Sequence, residues 1–214
     1  MGRCLNAMKI HWQNQVGGVV GYTRLGVDYW RSLANHVADA NSISQQFYRE
    51  KLKVFSKFTH SLARVWRKGF KFLKGDGRSA YNVFSKANIN ECMSGDLESG
   101  FVIDYAKLTV AKGGLRGLSS VTASVVAASH EVAVSWSDNT GVSEDALATD
   151  SVNVLILNIT KGENVFMANV ATRMEEACSV EYPAEWTGDT VYVFLFMSNE
   201  VQNSDSQLLG FYTA

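Results

Sequence analysis

The chain has 214 residues, 46% hydrophobic and 11% aromatic, with a formal charge of -1. That is enough apolar material for one large core or two small ones, yet no run of about 20 uninterrupted apolar residues is present to span a membrane. The opening MGRCLNAMKIHWQNQ lacks the apolar stretch of a secretory signal, so a cytoplasmic protein with no membrane partner is expected, free to be incorporated into a particle.

The near-neutral total hides a strong polarity. Residues 1–86 carry 15 Lys and Arg against Asp28, Asp39, Glu50 and Asp76, a balance of +11; residues 87–214 carry 5 basic and 17 acidic residues, a balance of -12. Such asymmetry concerns partners more than fold. Cys4, Cys92 and Cys178 are odd in number and far apart, which suits neither a disulfide framework nor a metal knuckle, and reduced thiols are expected. N-myristoylation is discarded, because Asn6 stands where the motif wants Ser or Thr.

In chain order, Val16 to Arg31 sets Gly17, Gly18, Gly21 and Gly26 among Val, Tyr and Trp, which predicts one or two hairpins. No phosphate-binding glycine spacing is met there. A helix is predicted from Ser42, paired with Gln45 as a capping box, to about Leu73, with Gly69 as a point where it can bend or end. Arg49, Lys53, Lys57, Arg64, Arg67, Lys68, Lys71 and Lys74 fall within about a 120° sector of that helix, opposite Phe47, Val54, Phe55, Phe58, Leu62, Val65, Trp66, Phe70 and Leu73. Lys51 falls inside the apolar sector. A solvated face is the plain reading of the stripe; contact with phosphates or an acidic protein surface is the functional one.

A break at Gly75-Asp76-Gly77 precedes a shorter helix over 78–93, bearing Tyr81, Phe84 and Ile89, and Ser94 to Gly100 reads as a polar linker. From Phe101 the pattern turns to strands, predicted near 101–111, 131–137, 151–159, 164–171, 177–182, 190–197 and 208–213. The expected fold is therefore α+β, with a basic hairpin-plus-helix domain over 1–94 and an acidic, seven-stranded immunoglobulin-like or fibronectin-like sandwich over 101–214. Trp136 is the candidate core tryptophan and Tyr192 the candidate corner tyrosine.

Taken in order, VGGVVGYTRLGVDYWRS, KFTHSLARVWRKGF, FVIDYAKLTVAKGGLRG, VSWSDNTG and LLGFYTA resemble an uncharacterised family of proteins of about this length, common in Bacteroidetes and carried as a domain of unknown function. The resemblance spans nearly the whole chain. It implies architecture and supplies no catalytic residue.

The chemistry-bearing residues do not assemble into an enzyme. His11, His36, His60 and His130 are isolated, with no metal-binding spacing, and no GxSxG elbow is present. Asp138, Glu144, Asp145 and Asp150 lie in one oxygen-rich loop without EF-hand spacing. Glu175 and Glu176 are adjacent, which on a strand turns them to opposite faces. Asn158-Ile-Thr160 matches a glycosylation acceptor, a match without consequence where no secretion is expected. The expectation is a non-enzymatic protein without cofactor or metal, packing into a homo- or hetero-oligomeric assembly of the kind found in phage-like particles. The alternative is a nucleic-acid-binding accessory protein using the basic face of the 42–74 helix.

Overall fold

The structure is a computed structural model that describes residues 2–3, 14–24, 26–33, 39–73 and 78–214. The break expected at 75–77, along with Cys4, His11, His36 and Lys74, lies outside the described residues.

The N-terminal strands β1 (Gly2–Arg3), β2 (Asn14–Val16), β3 (Val19–Arg24) and β4 (Val27–Ser32) form an antiparallel sheet in the order β1-β4-β3-β2. Gly17 turns the β2–β3 hairpin with a φ of 60°, a backbone that costs glycine little. Tyr22 stacks on Tyr29 across β3 and β4, with ring centroids 5.4 Å apart.

Helix α1 (Ile43–Ser61) begins as its capping box dictates: Gln45 N–H donates to Ser42 Oγ at 3.3 Å and Ser42 N–H to Gln45 Oε1 at 3.1 Å. The single helix expected to run to Leu73 is broken at Leu62. Helix α2 (Ala63–Gly69) follows, and then a 3₁₀ turn over Lys71–Leu73. Two helical carbonyls at the break are taken by side chains: Thr59 O accepts from Trp66 Nε1 at 3.2 Å and Ser61 O accepts from Asn164 Nδ2 at 3.1 Å. Helix α3 (Ala80–Asn88), capped by Ser79, is shorter than the expected 78–93. Met93 and the expected linker instead enter a hairpin of β5 (Met93–Asp96) and β6 (Gly100–Ile103). A 3₁₀ turn at Tyr105–Lys107 ends the extended run expected over 101–111.

The strand-rich remainder holds two antiparallel sheets. One contains β11 (Ala177–Glu181), β8 (Glu131–Ser137) and β7 (Ser119–Val126) in that order; the other contains β10 (Glu163–Thr172), β9 (Ser151–Asn158), β12 (Thr190–Ser198) and β13 (Gln207–Thr213). The fold is thus mixed α+β with a strand-rich C-terminal region. Strand β7 escapes the sequence reading, although its Val121, Ala123 and Val125 alternate with exposed Ser120, Thr122 and Ser124.

Strands β9 and β12 are buried on both faces. Val152, Val154 and Ile156, with Val191, Val193, Leu195 and Met197, join Val132, Val134, Trp136 and Val180 of the three-stranded sheet in one core. The alternate residues Leu155, Leu157, Phe194 and Phe196 join Phe55, Leu62, Val65, Phe70 and Phe84 of the helices in a second. The helical segment and the outer face of the four-stranded sheet therefore share a core to which residues on both sides of the β5–β6 hairpin contribute. The molecule is layered, with helices on one face of the central sheet and the three-stranded sheet on the other.

Trp136 is buried between the sheets and donates its Nε1–H to Arg173 O at 2.7 Å. Tyr192 does not close a corner of that core. Its position on β12 turns it to the helical face, where its ring meets Tyr105 and Phe211.

Candidate functional site

The apolar side of α1 and α2 packs on the sheet, which leaves the basic side outward. Arg49, Lys53, Lys57, Arg64, Arg67 and Lys71 are exposed, and Lys68 is half-buried; Lys74 lies outside the described residues. Lys51, which falls in the apolar sector, is buried and donates from Nζ to Asn90 Oδ1 at 3.2 Å.

The break at Leu62 divides the stripe. On α1, Arg49 pairs with Asp39 at 2.9 Å and Lys53 with Glu50 at 3.2 Å, all four exposed. The Arg49 hydrogen bond holds the Asp39 carboxyl below the usual carboxylate range. These exposed pairs contribute little stability. On α2, Arg67 lies over the Trp66 ring at 5.3 Å. Among the described residues, no ion pair joins a cation of residues 1–86 to an acid of residues 87–214.

Lys68 and Lys71, at the end of the stripe, line a cleft of about 620 Å³. Its other walls come from the sequence-distant loop Leu147–Ser151, the bulge of β10 and the end of β12 with Asn199–Val201. The bulge interrupts the β10–β9 register between Met167 and Ala171, and Asn169 sits in it with a φ of 54°. Lys68 Nζ donates to Asn169 Oδ1 at 3.2 Å. Burial, and secondarily the neighbouring Lys71 ammonium, push the Lys68 amine below its ordinary value.

A buried polar network supports the floor of the cleft. Asn153, fully buried in β9 on the helical face, donates from Nδ2 to Ser198 Oγ at 2.9 Å and to Phe196 O at 3.2 Å. Its Oδ1 accepts from Asn169 N at 3.2 Å, which ties the bulge down. Beside it, Asp150 Oδ2 accepts from Arg173 Nη2 at 2.8 Å and Nε at 3.2 Å, while Arg173 Nη1 donates to Asn139 Oδ1 at 2.6 Å. Asp150 is thereby neutralised within the fold. The free charges lining the cleft are Lys68, Lys71 and exposed Glu200.

The stripe is the part of the site that the sequence exposes. Asn169, Ser151, Ser198 and Asn199 carry no pattern of their own, although Asn153 within SVNVLILN, an amide set between two valines in an apolar strand, is an available signal.

Other sequence candidates do not converge. Asp150 of the acidic loop faces Arg173, and Asp138 accepts from Thr140. Glu175 and Glu176 lie in and just after a 3₁₀ turn, Arg173–Glu175, not on a strand: Glu175 Oε2 accepts from Thr172 N and Glu176 Oε1 from Asp138 N. Asn158 is fully buried and donates to Asp189 Oδ2 at 2.7 Å, which leaves it no role as a sugar acceptor. Among the described residues, no three His, Cys, Asp or Glu side chains gather to hold a metal, and no helix is long and apolar enough to cross a membrane.

No curated protein and no solved structure matches the chain. A family model does match residues 10–210, nearly the whole sequence, in keeping with the motifs that run from the glycine-rich opening to the closing strand. The chain belongs to DUF6266, a family of unknown function.

Proposed function

We propose that this protein is a non-enzymatic assembly module whose basic helical face docks on an acidic protein surface, in the first instance that of another copy. The observation that carries the proposal is a set of unpaired cations on the outer face of the helices together with a like-charge acidic pair on the opposite layer. Lys57, Arg64 and Arg67 lie exposed on the helical side with no acid paired to them, and no ion pair crosses between the two charged halves among the described residues. On the opposite layer, Glu131 and Glu181 are direct partners on β8 and β11, a like-charge pair that destabilises a sheet until a cation meets it. Asp138, Glu144 and Asp145 leave the end of β8, and Glu175 and Glu176 precede β11. Opposite patches on opposite layers make a head-to-tail contact, which builds rings or filaments, as a phage-like particle would require.

The same proposal takes the two-sheet region as an immunoglobulin-like or fibronectin-like sandwich. Three strands facing four across one core, with Trp136 buried between them, support that reading.

Light scattering of the purified chain at low and high salt is the test. Oligomers that dissociate in salt, and that Lys57→Glu with Arg64→Glu abolishes, are the expected result. A salt-independent monomer at all concentrations would overturn it. Nucleic acid is the second reading of the same face, favoured by the lack of acid between Lys51 and Lys74. Trp66 offers it no exposed stacking platform, since its ring is half-buried and its Nε1–H is held by Thr59 O. A monomer that binds duplex or single-stranded DNA with a steep salt slope would move the assignment to that reading.

A further inference from the structure

We infer that the cleft between α2 and the end of the central sheet is a binding site for a small amphipathic anion, its carboxylate or phosphate held by Lys68 and Lys71. The volume of about 620 Å³ lies in the range of small-molecule sites, far above what one ion needs. Two ammonium groups line one wall, each with only a weak neutral partner: Lys68 has the Asn169 side-chain oxygen, and Lys71 Nζ rests 4.8 Å from the Phe72 ring centroid. An oxyanion between them removes their mutual repulsion.

The floor is built with donors. Ser198 Oγ already accepts from Asn153 Nδ2, so its own proton is left to donate, and Ser151 stands directly across from Ser198 on the paired strand. The acid on the floor, Asp150, is saturated by Arg173 and does not repel an anion as a free carboxylate would, while Glu200, the cleft's other acid, is exposed to solvent, which screens it. Leu147 and Val201 are 52% and 75% exposed at the same cleft and supply an apolar wall for the rest of the ligand.

The sheet accepts a local penalty to make this floor. Elsewhere the helical face of β9 carries Leu155 and Leu157; here it carries a buried asparagine whose bonds fix a bulge and a left-handed Asn169. Polar networks and backbone irregularities of this kind concentrate at ligand sites. The inference does not rest on the assembly reading, because Lys57 and Arg64, whose reversal tests that reading, do not line the cleft.

Hexanoate and inorganic phosphate, titrated into the ¹⁵N-labelled full chain and followed by NMR, provide the test. Hexanoate is expected to give saturable shifts at Asn169, Ser198, Asn199 and Val201, and Lys68→Met is expected to weaken it at least about tenfold, the loss of one charge-assisted bond. Lys71 is exposed, so Lys71→Glu keeps the fold and must weaken binding even if Lys68→Met does not fold. Shifts that never saturate, shifts centred on Lys53 and Lys57, or affinity unchanged by Lys71→Glu would overturn the site. Saturation by phosphate but not by hexanoate would overturn its amphipathic half.

Discussion

Arg173 Nη2 lies 2.8 Å from Asp150 Oδ2 with both side chains fully buried, and the pair joins the cleft floor to the core between the two sheets. Arg173 also donates to Leu147 O and Arg116 O, so its guanidinium fastens two loops as well as one carboxylate. Removing one partner leaves an uncompensated charge in the interior. Asp150→Asn or Arg173→Met is expected to cost roughly 3–5 kcal/mol in urea unfolding. Asp150→Leu combined with Arg173→Met is expected to cost less than the sum of the two single changes. A single-variant loss below about 1 kcal/mol would show that the pair is dispensable.

Gly69 is the second point at which the fold tolerates no change. A Cβ built there would overlap the Val110 carbonyl oxygen, which is backbone and has little freedom to withdraw. Gly69 O also accepts from Asn203 Nδ2 at 2.9 Å and from Lys112 N at 3.3 Å, so α2 ends docked against the chain. Gly69→Ala is expected to destabilise by about 1–3 kcal/mol or more, as overpacking does. Gly18→Ala, where nothing lies within 4 Å, serves as the contrast and is expected to cost well under 1 kcal/mol.

These two positions mark how much of the molecule its sequence discloses. Ser42 with Gln45 announces the start of α1, because a capping box is a local device and needs only four residues to work. Gly69 is visible as a breaker, but its partner at Val110 is not, since that contact is made by tertiary packing. Nothing local announces the break at Leu62: leucine is a good helix former, and the carbonyls of Thr59 and Ser61 are drawn out by Trp66 and by the distant Asn164. The basic stripe could be read from periodicity. Its division into an outward face and a cleft could not, because the bulge and loops that complete the cleft lie about 80 to 130 residues downstream of Lys68 and Lys71.

The cysteines offer a reporter of global unfolding. Cys92 is fully buried in the helical core, and Cys178 packs against the inter-sheet core; burial pushes each thiol up to about 11. At neutral pH almost no thiolate is present to attack an alkylating reagent. In a Cys4→Ser background, iodoacetamide is expected to leave the native protein unlabelled and to modify both cysteines once denaturant unfolds it, as mass spectrometry would register. Rapid native labelling of either would show that its cover opens locally.

Lys68 supplies the pH dependence tied to the cleft. Its amine lies below the ordinary value of 10.5, first because it is partly buried and then because Lys71 stands near it. The folded state therefore releases the Lys68 proton at a lower pH than the unfolded chain does. Between those two values the unfolded chain binds more protons, so this residue's contribution to stability rises with pH through that alkaline window and is constant below it. Lys71→Gln removes the smaller cause and is expected to raise the Lys68 value only part of the way. A bound anion favours the ammonium and is expected to raise it further, with proton uptake on binding in the same window. NMR titration of ¹³C-dimethylated lysines reads all three effects. Lys68 is expected to titrate below the ordinary lysine value of 10.5, and a Lys68 signal that titrates at that value would mean the amine is solvated outside the cleft.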